Sequence, residues 1–235
     1  MHPRYGRRLP LNQEHGLRLS LLSWTIPSIT VLLAMVIHFF DSPRAVPFFI
    51  SETDAPGLQD HVFTVGLSIA GVVQMAYAWH LYHTLNVERE TLWFVATLCG
   101  LFASVNTVLV SHFDMYNHIN PHIATAMFAF GGGIVWAYLS SRALGLHATR
   151  TGTALRYLGF SLALVGFVVM VVSFELAAGP IDATNLTTEA FLNEAQHGIR
   201  IAAPAEYLLV AGLFVCLASF RFELISVQGE ASIDQ

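Results

Sequence analysis

Residues 111–122, SHFDMYNHINPH, hold three of the chain's eleven histidines and an aspartate. Imidazole beside carboxylate suits general acid–base chemistry or metal ligation. His118 and His122 are four apart, the spacing that puts two ligands on one helical face. Between them, Asn120-Pro121 reads as a helix start, asparagine at the N-cap and proline at the first helical position. That places His118 ahead of the helix, so a metal would need ligands from several loops. The candidate zinc set is His112, His118, His122 and His197, with no set preferred. The acid–base candidates are His112, Asp114, His122 and His197. The plainer alternative makes these histidines hydrogen-bonding residues at a membrane interface. Bis-histidine haem would need pairs at matching depth, which only His38, His112 and His122 supply at one end. At the other end only His147, in a loop, answers His80 and His83.

A second group of polar residues lies in or near apolar runs. Glu206 sits about two turns inside the last run, and an intramembrane carboxyl is a functional candidate by default. Arg200 lies nearly two turns away and has a long side chain. Ser51 and Glu52 follow the first run. Ser51, Glu52, Glu206 and Arg200 are the substrate-binding candidates. Asn106, Ser104 and Gln74 read as interhelical hydrogen-bonding residues, and Gly131-Gly132-Gly133 as a site of close helix approach. No G-x-S-x-G elbow and no P-loop occurs.

The elements that position these residues follow from composition. Of 235 residues, 54% are hydrophobic and 11% charged, against about 25% charged in soluble domains. The mean hydropathy is +0.57. Six runs reach the roughly 20 apolar residues that a helix needs to cross a bilayer: 19–40, with Pro27 as an expected kink, 62–82, 91–110, 123–144, 157–177 and 199–222. None alternates as a barrel strand does. The expected fold is all-α, a polytopic six-transmembrane-helix bundle. The first run exceeds a signal-peptide core and no small-residue cleavage site follows it, so it reads as a retained span.

All eleven basic residues are arginine. With the N-terminus inside, Arg4, Arg7, Arg8, Arg18, Arg89, Arg142, Arg150, Arg156 and Arg221 fall on the inner side, and only Arg44 and Arg200 on the outer. The positive-inside rule then makes both termini cytoplasmic. The expected organisation is an N-terminal segment 1–18, a membrane domain 19–222 and a cytoplasmic tail 223–235, irregular from Ser226. The connection 178–198 reads as carrying a short amphipathic surface helix from Thr188 and a glycosylation sequon at Asn185. Cys99 and Cys216 lie in apolar runs and imply no disulfide. The net charge of −5 offers no basic patch for nucleic acid.

Three places in the chain resemble one family. Phe49-Ile50-Ser51-Glu52, followed by Pro56 and the run from Phe63, is similar to the entry to its second span. His122, followed by small and aromatic residues through Phe128, resembles the histidine that opens its fourth. His197 with Pro204-Ala205-Glu206-Tyr207 resembles its closing pattern. The family is the FRAG/DRAM/SFK group of six-span membrane proteins, which includes a GPI-anchor lipid-remodelling protein and the autophagy modulators. The resemblance implies lipid handling or remodelling, with membrane lipids and membrane proteins as partners. A non-catalytic scaffold or regulator is the alternative, and a zinc- or haem-binding protein a further one. In the catalytic form His122 or His112 would be the general base, in acyl transfer or hydrolysis at a lipid headgroup. The resemblance transfers no single catalytic mechanism.

Overall fold

The computed structural model describes residues 13–41 and 43–233. Arg4, Arg7 and Arg8, part of the arginine bias, lie outside them. The described chain is helical: α1 Gln13–Phe40, α2 Leu58–Thr84, α3 Glu90–Val110, α4 Ile119–Leu144, α5 Arg150–Ala178, α6 Thr188–Glu194, α7 Gln196–Ser219 and α8 Arg221–Ile233. Short 3-10 turns lie at Ile50–Asp54, Gly145–His147 and Ala183–Asn185. Six helices are long and apolar enough to cross a membrane, one for each apolar run of the sequence.

These helices are apolar outside as well as inside. Ile29 and Leu32 on α1, Val65 and Val72 on α2, and Val168 and Leu176 on α5 are all exposed. A helix that is hydrophobic all round needs an apolar surrounding, and lipid provides one. Successive helices from α1 to α4 are neighbours, and α7 touches both α1 and α4, which closes the ring. Pro27 sits inside α1 and Pro204 inside α7, and neither ends its helix.

The tightest pairing is α5 against α7. A Cβ on Gly166 would stand 2.6 Å from the Ala205 carbonyl oxygen and from Leu209 N. One on Gly212 would stand 2.5 Å from Ala163 N and the Gly159 carbonyl oxygen. Backbone therefore meets backbone, as small residues allow between membrane helices. The Gly131-Gly132-Gly133 run does less than expected. Gly132 approaches Ala103, Gly133 approaches Leu213, and Gly131 faces open space.

Three connections crowd one end of the bundle, called here the cap end: residues 41–57, 111–118 and 179–195. The described chain ends meet at the opposite end, where α8 packs on α1. The stretch expected to be an irregular tail is instead helical as α8. Its anchor is Glu223, 2% exposed, which accepts from Arg156 Nη2 at 2.8 Å and from Thr149 N and Oγ1 at 3.2 and 3.1 Å. Leu224 is buried beside it. The short helix expected from Thr188 is α6. Thr187 caps it by accepting from Ala190 N, and Leu192 is its buried face. Asn185 is exposed.

Helix α4 begins two residues before the sequence signal, at Ile119 with His118 in the cap position. Pro121 then lies in the first turn, where its missing N–H costs no helical bond. Ser104 and Asn106 donate to carbonyls of their own helix, those of Gly100 and Phe102. Of these three residues only Gln74 crosses between helices, to the Ser23 carbonyl at 3.1 Å.

Candidate functional site

The cap is stapled to the membrane helices by a few buried polar side chains. Arg44 grips Glu52 through Nε and Nη2, at 3.0 Å to Oε2 and 3.1 Å to Oε1. Its Nη1 donates to the Leu192 carbonyl and to Asn193 Oδ1, both at 3.1 Å. Glu52 Oε1 also accepts from Phe49 N at 2.9 Å. Glu206, rising from α7, accepts from Ile50 N at 2.7 Å. The adjacent Tyr207 hydroxyl donates to the Phe48 carbonyl. Gln196 reaches the Pro47 carbonyl, and Thr188 the Tyr116 carbonyl.

Below this lid lies an apolar chamber of about 140 Å³ among α1, α2, α3, α4 and α7. Val31, Leu67, Phe130 and Leu213 form part of its wall, and Trp136 lies toward the opposite end. Ser51, His122 and Glu206 line it at the cap. His122 is 2% exposed. Its Nδ1 bonds the Phe113 carbonyl oxygen at 2.5 Å. A carbonyl only accepts, so Nδ1 carries the proton and Nε2 keeps its lone pair. Nε2 is buried and has no partner among the described residues.

Beside the chamber a polar cleft of about 270 Å³ opens. Asp54, Asp60, Thr64, Ser111, His112 and Asp114 line it. His112 Nε2 bonds Ser68 Oγ at 3.1 Å. Asp114 pairs with His118 at 2.9 Å, rather than with His112 or His122. Burial pushes Asp114 upward, but the bonds from His118 and from Asn117 outweigh it and hold the carboxyl below its ordinary value. Asp54 goes the other way. Burial, reinforced by the carboxylates of Asp60 and Asp114, pushes it up to about 8.

A carboxyl with a raised folded-state pKa stabilises the fold while protonated. Its contribution is complete below the unfolded value of 3.8 and is lost as pH rises through about 8. The melting temperature of the purified protein should therefore fall between about pH 4 and about pH 8. Asp54→Asn should flatten that part of the profile. An Asp54→Asn profile as steep as the parent's would assign the effect to another group.

The structure divides the sequence candidates. Ser51, His122 and Glu206 share the chamber, and His112 and Asp114 share the cleft. Glu52 is occupied in holding the cap. His197 and Arg200 are exposed and line neither compartment. On a helix of 3.6 residues per turn, His197 stands about 180° and Arg200 about 120° from Glu206. The zinc candidates do not fit a metal. No three His, Cys, Asp or Glu side chains gather to hold one among the described residues. Haem fits no better. His38 packs edge-on to Phe48 at 4.8 Å, while His112 and His122 lie in separate compartments. Sequence reasoning missed Arg44, Gln196 and Tyr207. Of these, only Tyr207, beside Glu206 in the closing pattern, carried any signal.

Three separate places in the chain thus converge. The Ser51-Glu52 turn, the histidine opening α4 and the Glu206-Tyr207 pair of α7 meet at the chamber roof. The sequence model of one family, described as the Frag1/DRAM/Sfk1/Cwh43P N-terminal domain, matches residues 17–227. The chain belongs to this family. Comparison with curated proteins and with solved structures finds no match. With its six apolar helices, this Frag1/DRAM/Sfk1 chain is an integral, multi-pass membrane protein. The stretches that bear the family likeness at residues 49–52, 122 and 206–207 form the junction of cap and chamber.

Proposed function

We propose that this protein handles membrane lipids by taking a hydrocarbon segment into the chamber, with the lipid's polar part under the cap. One observation carries this reading: an apolar hollow inside a membrane bundle ends at a buried histidine whose Nε2 has no partner among the described residues. A lipid hydroxyl would donate to that nitrogen. The same lone pair suits His122 to act as general base if the lipid is remodelled, with the Phe113 carbonyl fixing the tautomer. Glu206 would position the roof through Ile50 N. Glu52 and Arg44 would serve as scaffold.

The arginine distribution supports placing the cap at the non-cytoplasmic surface. Among the described residues Arg18, Arg89, Arg142, Arg150, Arg156 and Arg221 stand toward the end where the chain termini meet. Only Arg44 and Arg200 stand toward the cap. On this reading both termini are cytoplasmic and residues 19–222 form the membrane domain.

Filling the chamber tests the reading. Ala129 lines it and is 9% exposed. The full chain, purified in mild detergent, should carry a lipid adduct in native mass spectra. Ala129→Phe should reduce occupancy about tenfold or more. Ile29→Phe, on the exposed outer face, should leave it unchanged. Equal occupancy in Ala129→Phe, with melting temperature preserved, would show that the retained lipid sits elsewhere.

A further inference from the structure

The cleft lies against the chamber but has the opposite polarity. Three strips of chain serve both compartments. The 3-10 turn gives Ser51 to the chamber and Asp54 to the cleft. Helix α2 gives Leu67 and Thr64, and the end of α3 gives Val110 and Ser111. A ligand that fills both is an amphiphile, with its head only a few residues' distance from the start of its tail.

The chemistry of the cleft selects the head. Three carboxyl groups line it, no arginine does, and the chain contains no lysine. Asp114 is taken up by His118 and Asn117. Asp60 accepts from Thr64 Oγ1 at 3.2 Å and lies 3.9 Å from His61. Asp54 differs. It is 2% exposed, and its Oδ2 is buried with no hydrogen-bond partner among the described residues. Below about pH 8 Asp54 holds a proton beside Asp60, and a cation entering the cleft would take that proton's place. A buried polar atom without a partner is uncommon in native proteins and points to a missing one.

An ammonium group has three donors and no acceptor, and it bonds carboxylates at ordinary hydrogen-bond distances. A metal ion would instead need ligands converging on one point at about 2.0–2.6 Å, and no such convergence exists among the described residues. A headgroup bearing only negative charge would meet carboxyls and no guanidinium.

We propose that the Asp54–Asp60–Asp114 cleft binds the ammonium group of an amphiphile whose chain occupies the neighbouring chamber. The inference rests on the chamber reading above and adds the charge of the ligand to it.

The test uses the full chain in phosphatidylcholine nanodiscs and three probes of equal chain length: a long-chain primary amine, the alcohol and the carboxylate. Each carries bromine on the chain, and Trp24, Trp79 and Trp93 are replaced by phenylalanine throughout, so that quenching of tryptophan fluorescence reports arrival near Trp136 and not in the bilayer. The amine should bind about tenfold or more tightly than the alcohol, and the carboxylate weakest. Asp54→Asn/Asp60→Asn should bring the amine down to the alcohol and leave the alcohol unchanged, so alcohol binding also reports the intact chamber. If the double variant does not fold, Asp60→Asn alone should narrow the gap. Equal binding of amine and alcohol overturns the cleft and leaves the chamber standing. So does an amine preference that survives the variants, since it would come from the bilayer. Binding of none of the three overturns the chamber, and the cleft with it. An ethanolamine phospholipid completes the series. Competition by it as well as by the free amine means that the cleft reads ammonium with or without a phosphate. Competition by the free amine alone assigns the site to phosphate-free amines.

Discussion

Replacing Arg156 by alanine is expected to cost about 3–5 kcal/mol of stability, the range for removing one partner of a buried ion pair. The Arg156 side chain is 0% exposed and that of Glu223 2%. Its Nη2 stands 2.8 Å from Glu223 Oε1, and the guanidinium carbon lies 4.7 Å above the Phe220 ring. Phe220 itself stacks at a tilt on Trp136, 5.1 Å away. Alanine would leave a buried carboxylate with only Thr149 for a partner and a gap over the ring. The joint change Arg156→Met with Glu223→Leu removes both charges and keeps most of the volume, so it should lie much closer to the parent. Denaturation of the purified chain reads both. A melting temperature for Arg156→Ala equal to the parent's would mean that packing alone holds α8.

Arg44→Ala should cost a similar amount, about 3–5 kcal/mol, but at the other end of the molecule. Four acceptors lose a donor at once: both Glu52 oxygens, of which Oε1 keeps the Phe49 amide, the Leu192 carbonyl and Asn193 Oδ1. Burial pushes the Glu52 carboxyl up, and the Phe49 amide and Arg44 pull it back. Without Arg44 it must take up a proton or let the cap open to water. Lysine should not rescue, because a point charge cannot reproduce a fork that spans two carboxylate oxygens and a carbonyl. Hydrogen exchange locates the damage. Amides of residues 41–57 and 188–195 should exchange faster while the centres of α5 and α7 stay protected. Unchanged exchange in those two segments would show that Arg44 is not the fastener.

The division between what was legible in the sequence and what was not follows the range of each interaction. The spans could be read because lipid imposes a local rule of length and hydropathy. The Ser51, His122 and Glu206 candidates stood out because polar groups in or beside apolar runs need a reason. The Arg156–Glu223 pair could not be read this way. Its partners are 67 positions apart, and Arg156 resembled any arginine flanking a span. Ser104 and Asn106 were expected to bridge helices, yet a short polar side chain reaches the carbonyl four residues back in its own helix with no help from a neighbour. The His197 and Arg200 candidates shared a helix and a depth range with Glu206, but angular position around α7 separates them. The sequon, the charge bias and the histidine-rich stretch were visible from the start, and their roles depend on which side of the membrane the cap faces.

Because α5 and α7 meet backbone to backbone at Gly159, Gly166 and Gly212, neither can slide along the other without driving a carbonyl into a Cα. The pair therefore forms a stiff wall. The α4–α7 boundary depends instead on side chains, with Leu213 against Gly133, and the α1–α7 boundary on Val31 and Val210. A hydrocarbon chain arriving sideways from the bilayer would pass through one of those two seams. Rotation of an aliphatic side chain there would open the seam, and the bundle would have no need to come apart.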